Sequence, residues 1–231
     1  MKIKYIEHSG FRLDCAEFSL MVDCCGLTKE SEEVRTCIGR PLYILASHSH
    51  PDHYDPEILS FGSESRKVIL SDDIRKKIKK PMDVHYIDKG SVYRDNSIMI
   101  KAYGSTDIGV SFYIEADGLK VFHAGDLNNW HWIDEETPED AAKNEKAFLD
   151  ELELISGEVK SLDAVMFPVD PRLGKEYTRG AEQFLDNIKT GLFLPMHFWN
   201  NYQAANAFKA KAEEKGCRFA EIYGKGDEFE V

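Results

Sequence analysis

One stretch constrains this 231-residue chain more than any other: the apolar run Leu42–Ala46 stops at His48-Ser49-His50-Pro51-Asp52-His53. A short apolar run bounded by turn formers reads as a buried strand. The loop at its C-terminal end carries three of the chain's eight histidines, with an aspartate between them. Imidazole and carboxylate are the usual non-sulfur ligands of zinc-like metals. His48 and His50 lie two apart, so in extended backbone both project to one side. Asp52 and His53 follow where the chain turns toward a short helix, with Asp55 as its N-cap and Pro56 in its first turn. They can reach a second point close to the first.

The rest of the pattern places this loop in a fold. Residues 2–7, 11–15 and 18–23 read as strands, 68–70 as a strand, and 72–79 as a helix. Strands follow at 84–87, 97–103, 110–115 and 119–123, the last two joined by the hairpin turn Ala116-Asp117-Gly118. Helices at 138–155, 178–188 and 203–214 then alternate with strands at 164–168, 192–195 and 220–223. No repeat or low-complexity linker interrupts the series. The expectation is an α+β fold: a four-layer αββα sandwich of two mixed β-sheets with helices on the outer faces, as one domain over 1–231.

His48-x-His50-x-Asp52-His53 resembles the HxHxDH signature of the metallo-β-lactamase superfamily. The likeness runs from about Ile3 to Tyr223 and is nearest to small single-domain members, ascorbate-6-phosphate lactonase-like proteins among them. It implies further ligands at later strand ends. In His123-Ala124-Gly125-Asp126, Asp126 matches the family's bridging aspartate; in Pro195-Met196-His197, His197 matches its last metal-binding histidine. The resemblance therefore implies two divalent ions, zinc foremost and manganese or iron as alternatives. His48, His50 and Asp126 would serve the first ion. Asp52, His53 and His197 would serve the second, with Asp126 bridging, and this second site is the one expected to fill first. The chain departs from the pattern at Tyr103-Gly104-Ser105-Thr106-Asp107, where the family carries another histidine. His85 comes too early to replace it and belongs to a strand near a sheet edge. Asp107 is the substitute, either as a metal ligand or in a supporting or substrate role. A carboxylate there favours harder ions such as manganese or iron.

The chemistry so implied is hydrolysis by metal-activated hydroxide on a small, anionic phosphoester or lactone-type substrate. No GxSxG elbow or GxxxxGK[ST] loop offers a different route. Asp52, Asp107 and His131 are the candidate catalytic residues, His131 as a proton donor from a loop shared with Trp130 and Trp132. Those tryptophans either wall the pocket or pack in the core. His123 either reaches the metals or packs within its strand. Arg172 and Arg179 are candidates for an anionic group, because a guanidinium fork suits phosphate or carboxylate; Lys175 reads as solvated. Trp199 and Asn200, just after His197, are further substrate candidates. Two other readings stay open: a metal-binding module without turnover, motivated by the missing histidine, and redox chemistry at a di-iron centre.

Composition excludes more than it selects. A formal net charge of −12 repels phosphate backbones, and the one basic stretch, Arg75–Lys80, reads as a solvated helix face, so nucleic acid is not an expected partner. Two divalent ions would bring −12 to −8. No apolar run nears the roughly 20 residues that span a bilayer, and residues 1–10 read as a strand rather than a leader. The expectation is a cytoplasmic protein with a small-molecule substrate and no membrane partner, its oligomeric state open. The five cysteines, odd in number and without a CxxC pair, read as reduced structural thiols.

Overall fold

A computed structural model of the chain describes residues 1–37, 39–61, 65–79 and 82–231; Lys80 of the basic stretch lies outside them. Six strands open the chain: β1 (Lys2–Glu7), β2 (Gly10–Asp14), β3 (Ser19–Val22), β4 (Leu42–Ala46), β5 (Arg66–Ser71) and β6 (His85–Ile87). Seven follow: β7 (Val92–Arg94), β8 (Ile98–Tyr103), β9 (Ser111–Ala116), β10 (Leu119–His123), β11 (Ser161–Pro168), β12 (Lys189–Met196) and β13 (Arg218–Phe219). The last, β14 (Glu228–Glu230), returns to the start. Among the described residues they form two seven-stranded sheets, ordered β14-β1-β2-β3-β4-β5-β6 and β13-β12-β11-β10-β9-β8-β7. Each sheet is mixed. Antiparallel pairing runs from β14 to β3 and from β7 to β10, and parallel pairing from β3 to β6 and from β10 to β13.

The parallel half explains why β4 is apolar throughout. All five of its residues are buried, as a strand covered on both faces requires. Tyr43 and Leu45 join the core between the sheets with Ile100 and Phe112 of the second sheet. Leu42, Ile44 and Ala46 point the other way, into a second cluster with Val34, Ile58 and Ile74. Helices α2 (Pro138–Glu158) and α3 (Arg179–Asn187) cover the far face of the second sheet through Phe148, Leu152 and Phe184.

The outer layer of the first sheet is thinner than the sequence suggests. It consists of the four-residue α1 (Glu32–Arg35) and two 3-10 turns, Pro56–Ser60 and Asp72–Lys77. The second of these replaces the helix expected over 72–79, and Asp55 caps the first as expected, accepting from the Glu57 amide at 2.9 Å. The helix expected over 203–214 is two short ones, α4 (Tyr202–Ala207) and α5 (Lys209–Glu214), broken at the buried Phe208. Strand pairing near 220–223 falls earlier, at β13. Strands β7 and β14 escape a sequence reading because edge strands of three residues, two of each three exposed, carry little hydrophobic alternation. Asp117 and Gly118 are both left-handed (φ 53° and 76°), as a two-residue hairpin turn needs. His85 lies on the edge strand β6. None of the cysteines is disulfide-bonded, and no helix among the described residues is long and apolar enough to cross a membrane.

Candidate metal centre

The loops after β1, β3, β4, β8, β10, β11 and β12 share one end of the sandwich, where Ser47–Asp52 meets partners from both sheets. Glycines make the meeting possible. A Cβ on Gly109 (φ 77°) would lie 2.2 Å from the Ser47 carbonyl and 2.5 Å from the His48 Cβ; one on Gly125 (φ 54°) would lie 2.9 Å from Ser47. Both backbones are left-handed and both pack directly on the histidine loop, so only glycine fits. The Val110 amide closes the contact by donating to the Ser47 carbonyl at 2.9 Å.

Buried acceptors aim the imidazoles. Asp23, fully buried after β3, accepts from the Ser47 amide (2.7 Å), the Ser47 hydroxyl (2.6 Å) and His53 Nδ1 (2.7 Å). Ser47 Oγ in turn accepts from His48 Nδ1 at 3.0 Å. Asp170, at the end of β11, accepts from His197 Nδ1 at 2.9 Å and from the Arg172 guanidinium at 2.5–3.0 Å. Each Nδ1 proton is thereby fixed and each Nε2 is left facing inward, free to ligate once that nitrogen is deprotonated, which is how outer carboxylates prepare histidines as ligands.

What the lone pairs face is a carboxylate. Asp126 Oδ1 lies 3.0 Å from His53 Nε2 and 3.3 Å from His197 Nε2, while Oδ2 lies 3.4 Å from His48 Nε2. Two groups of mutually close ligand atoms result, each within 4.8 Å: His48, His50, Asp107 and Asp126, and His8, Asp52, His53 and His197. Asp107 Oδ2 is 3.2 Å from His50 Nδ1, so the carboxylate at the position of the absent histidine does reach the first group. His8, which sequence reasoning passed over, stands in the turn after β1 with Nε2 3.2 Å from Asp52 Oδ2. Its left-handed backbone (φ 52°) is held by the His197 amide, which donates to the His8 carbonyl at 3.1 Å.

These residues fit metal ions. His8 Nδ1 is buried without a hydrogen-bond partner, and the buried His53 Nε2 and Asp126 Oδ1 face only each other and the neighbouring His197. Buried polar atoms left so are costly. Ligands about 2.0–2.1 Å from one tetrahedral ion sit about 3.3 Å apart, the spacing seen around Asp126.

A family model described as a beta-lactamase superfamily domain matches residues 2–142. The chain belongs to the β-lactamase superfamily. It is 22% identical over 246 aligned residues to a UPF0173 metal-dependent hydrolase of Symbiobacterium thermophilum, covering 99% of both chains. Its fold is similar to that of Igni18, a metallo hydrolase from Ignicoccus hospitalis, with a TM-score of 0.69 at 18% identity, over 100% of this chain and 98% of that one. It is also similar to CmlA, a diiron β-hydroxylase from Streptomyces venezuelae, with a TM-score of 0.65 at 13% identity, over 100% of this chain and 54% of that one.

In this superfamily member, the other residues singled out by sequence divide in two. A cavity of about 320 Å³ opens beside Asp126 and His197, lined also by Asp107, Trp130, Trp132 and Arg172. Arg172 is half-exposed, with its guanidinium 5.0 Å from the Trp199 ring and 5.8 Å from that of Trp132. A second cavity, about 240 Å³, lies on the other side of the centre against His8, Asp52, Trp199 and Asn200. His131 and Arg179 line neither cavity. His131 is buried, donating to the Glu176 carbonyl at 3.2 Å and accepting from the Ile133 amide at 3.1 Å, so both ring nitrogens are spent on backbone away from the centre. Arg179 pairs with Glu145 (3.5 Å) and Glu176 (3.6 Å). His123 packs within its strand end, donating to the Ser9 carbonyl at 2.8 Å and accepting from the Gly125 amide. Glu136, on the wall of the first cavity and hydrogen-bonded by the Asn144 amide at 2.8 Å, carried no sequence signal.

The charges of the centre are strongly coupled. Burial alone would raise Asp126, but His48, His53 and His197 hold it well below the ordinary carboxylate range. Burial likewise opposes charge on His53, and Asp126 and Asp23 outweigh it, pushing the imidazole up to about 10. In the metal-free chain His53 therefore carries a proton on Nε2 at pH 7, and a metal must displace it. Metal loading at pH 7 is expected to release at least one proton, with apparent affinity rising about tenfold per pH unit until pH nears 10. Calorimetric titration in buffers of different protonation enthalpy measures that count; a count of zero contradicts the assignment of His53.

Proposed function

We propose that this protein is a metal-dependent hydrolase of small molecules, acting on a phosphoester or lactone-type ester bond. The observation that carries the reading is the placement of Asp126, one carboxylate whose two oxygens face different ligand groups. Two divalent ions, when bound, supply Lewis acidity and bring the pKa of water down to roughly 7. The chain supplies the rest. Asp23, Ser47 and Asp170 hold the imidazoles in one tautomer, and Asp126 couples the two groups. Trp130 and Trp132 wall one side of the cavity. Arg172, its Nε and one Nη tied to Asp170, keeps its remaining donors for an anionic group on the substrate. Neither cavity exceeds the volume of a small-molecule site, and the net charge of −12 argues for a small substrate over nucleic acid. The hydrolase names of the relatives support the same class of reaction.

The nearness of Asp107 to His48, His50 and Asp126 supports the hydrolase reading over a metal-binding module without turnover, whose motive was the missing histidine. The second group, the more buried of the two, is the one proposed to fill first. Metal-stripped protein reloaded with zinc, manganese or ferrous iron is expected to hydrolyse at least one of a generic phosphodiester, a lactone and a thioester. Chelation should remove that activity and metal restore it. Uniform inactivity with two metals demonstrably bound would overturn the proposal. Oxygen-dependent product formation from iron-loaded protein would instead favour the di-iron reading, to which the carboxylate-rich first group also lends itself.

A further inference from the structure

We infer that the two ligand groups prefer different ions, so that limiting zinc is confined to the group containing His8 while a harder ion, manganese(II) or iron(II), occupies the group containing Asp107. The inference rests on the dimetal reading above and adds a division of labour to it.

The donor sets are unequal. The second group offers three imidazoles and the Asp52 carboxylate, with Asp126 Oδ1 shared from the side of His53 and His197, a nitrogen-rich set of the kind zinc takes. It is also enclosed: His53 and His197 are buried, and His8 is only 8% exposed. The first group offers two imidazoles and two carboxylates. Its His50 and Asp107 side chains are 45% and 39% exposed, leaving room for the water ligands that a six-coordinate manganese or iron ion retains. Oxygen-rich, open sites suit harder ions, and imidazole-rich, closed ones suit zinc.

His8 makes the difference, and its environment points to a ligand. Nδ1 is buried without a hydrogen-bond partner, and Nε2 faces only Asp52 Oδ2, 3.2 Å away. Its ring centroid lies 4.2 Å from that of His197 and 5.5 Å from that of His53, so three imidazoles converge beside Asp52. The strained turn and the His197 amide hold it there. Without His8 the groups would be nearly alike in donor type. With it, nitrogen donors are concentrated at one site, while Asp107 enriches the other in oxygen.

Zinc outbinds manganese at most nitrogen and oxygen sites, so the test limits zinc. Metal-free protein receives one equivalent of zinc and excess manganese(II), and anomalous scattering is collected at both absorption edges from one crystal. The expected result is a zinc peak among His8, Asp52, His53 and His197 at least ten times stronger than any in the other group, and a manganese peak beside Asp107. His8→Gln is expected to abolish that partition and weaken the first zinc equivalent at least tenfold in a competition titration. Asp107→His should let a second zinc equivalent bind as tightly as the first. Zinc shared equally between groups in the native chain, or an unchanged zinc affinity in His8→Gln, overturns the inference while leaving the hydrolase proposal intact. Failure of the native chain to bind any metal sinks both.

Discussion

Replacing Asp126 with asparagine is expected to lower turnover by on the order of 10³-fold or more and to leave the folded chain holding at most one ion. The reason is geometric. Oδ1 faces His53 and His197 at 3.0 and 3.3 Å, and Oδ2 faces His48 at 3.4 Å. Asparagine keeps one neutral oxygen and presents an amide N–H₂ to the other group, where a donor cannot ligate a cation. His48, His53 and His197 hold Asp126 well below the ordinary carboxylate range, so the native carboxylate is ionised at neutral pH and asparagine removes a full charge. Metal content by elemental analysis, turnover on whichever ester the native chain cleaves, and circular dichroism as a control on folding decide the matter. A variant that retains two ions and native turnover would falsify the bridging role.

The second large effect is expected from a residue that need not touch metal or substrate. Asp23→Asn should cost the metal-free protein about 3–5 kcal/mol of stability, the usual consequence of removing one charge from a buried pair. It should also weaken metal binding by about 10–100-fold. Asp23 is fully buried and accepts three hydrogen bonds through two oxygens. If the asparagine oxygen keeps the Ser47 amide, its N–H₂ must face His53 Nδ1. That nitrogen then has to accept, its proton moves to Nε2, and the ligand lone pair disappears. Asp23→Ala removes the buried acceptor without imposing the wrong tautomer. It should therefore lose comparable stability yet bind metal better than Asp23→Asn. Equal metal affinities in the two variants would show that Asp23 acts through packing alone. Chemical denaturation with and without metal reads both quantities.

Much of the centre was legible from local patterns. His48, His50, Asp52 and His53 are neighbours in the chain, and Asp126 and His197 each end an apolar run that any strand reading finds. Ligands at strand ends are readable because the strand announces itself by its hydrophobicity and the polar residue that stops it stands out. By the same rule His8 and Asp23, which end strands β1 and β3, carried a signal that could have been used. A single histidine or aspartate at a turn is too common to single out without its neighbours in space. His131 and Arg179 illustrate the converse: residue type and nearness in sequence suggested roles, but each spends its polar atoms elsewhere.

The sequence by itself therefore determined the two mixed sheets, the strand ends that carry chemistry and the histidine-rich loop from His48 to His53, while Asp126 and His197 were singled out among the strand ends through the family resemblance. These rest on interactions within a few residues: alternation of apolar side chains, turn formers, and the fit of glycine to left-handed turns. Only the tertiary structure decided that His8 joins the second group, that Asp107 reaches the first, and that Asp23 and Asp170 fix the imidazole tautomers. Those contacts join residues from 24 to 189 positions apart in the chain, on loops that only sheet pairing brings together, as when the His197 amide meets the His8 carbonyl. Their energies depend on burial and direction, neither of which a linear chain displays.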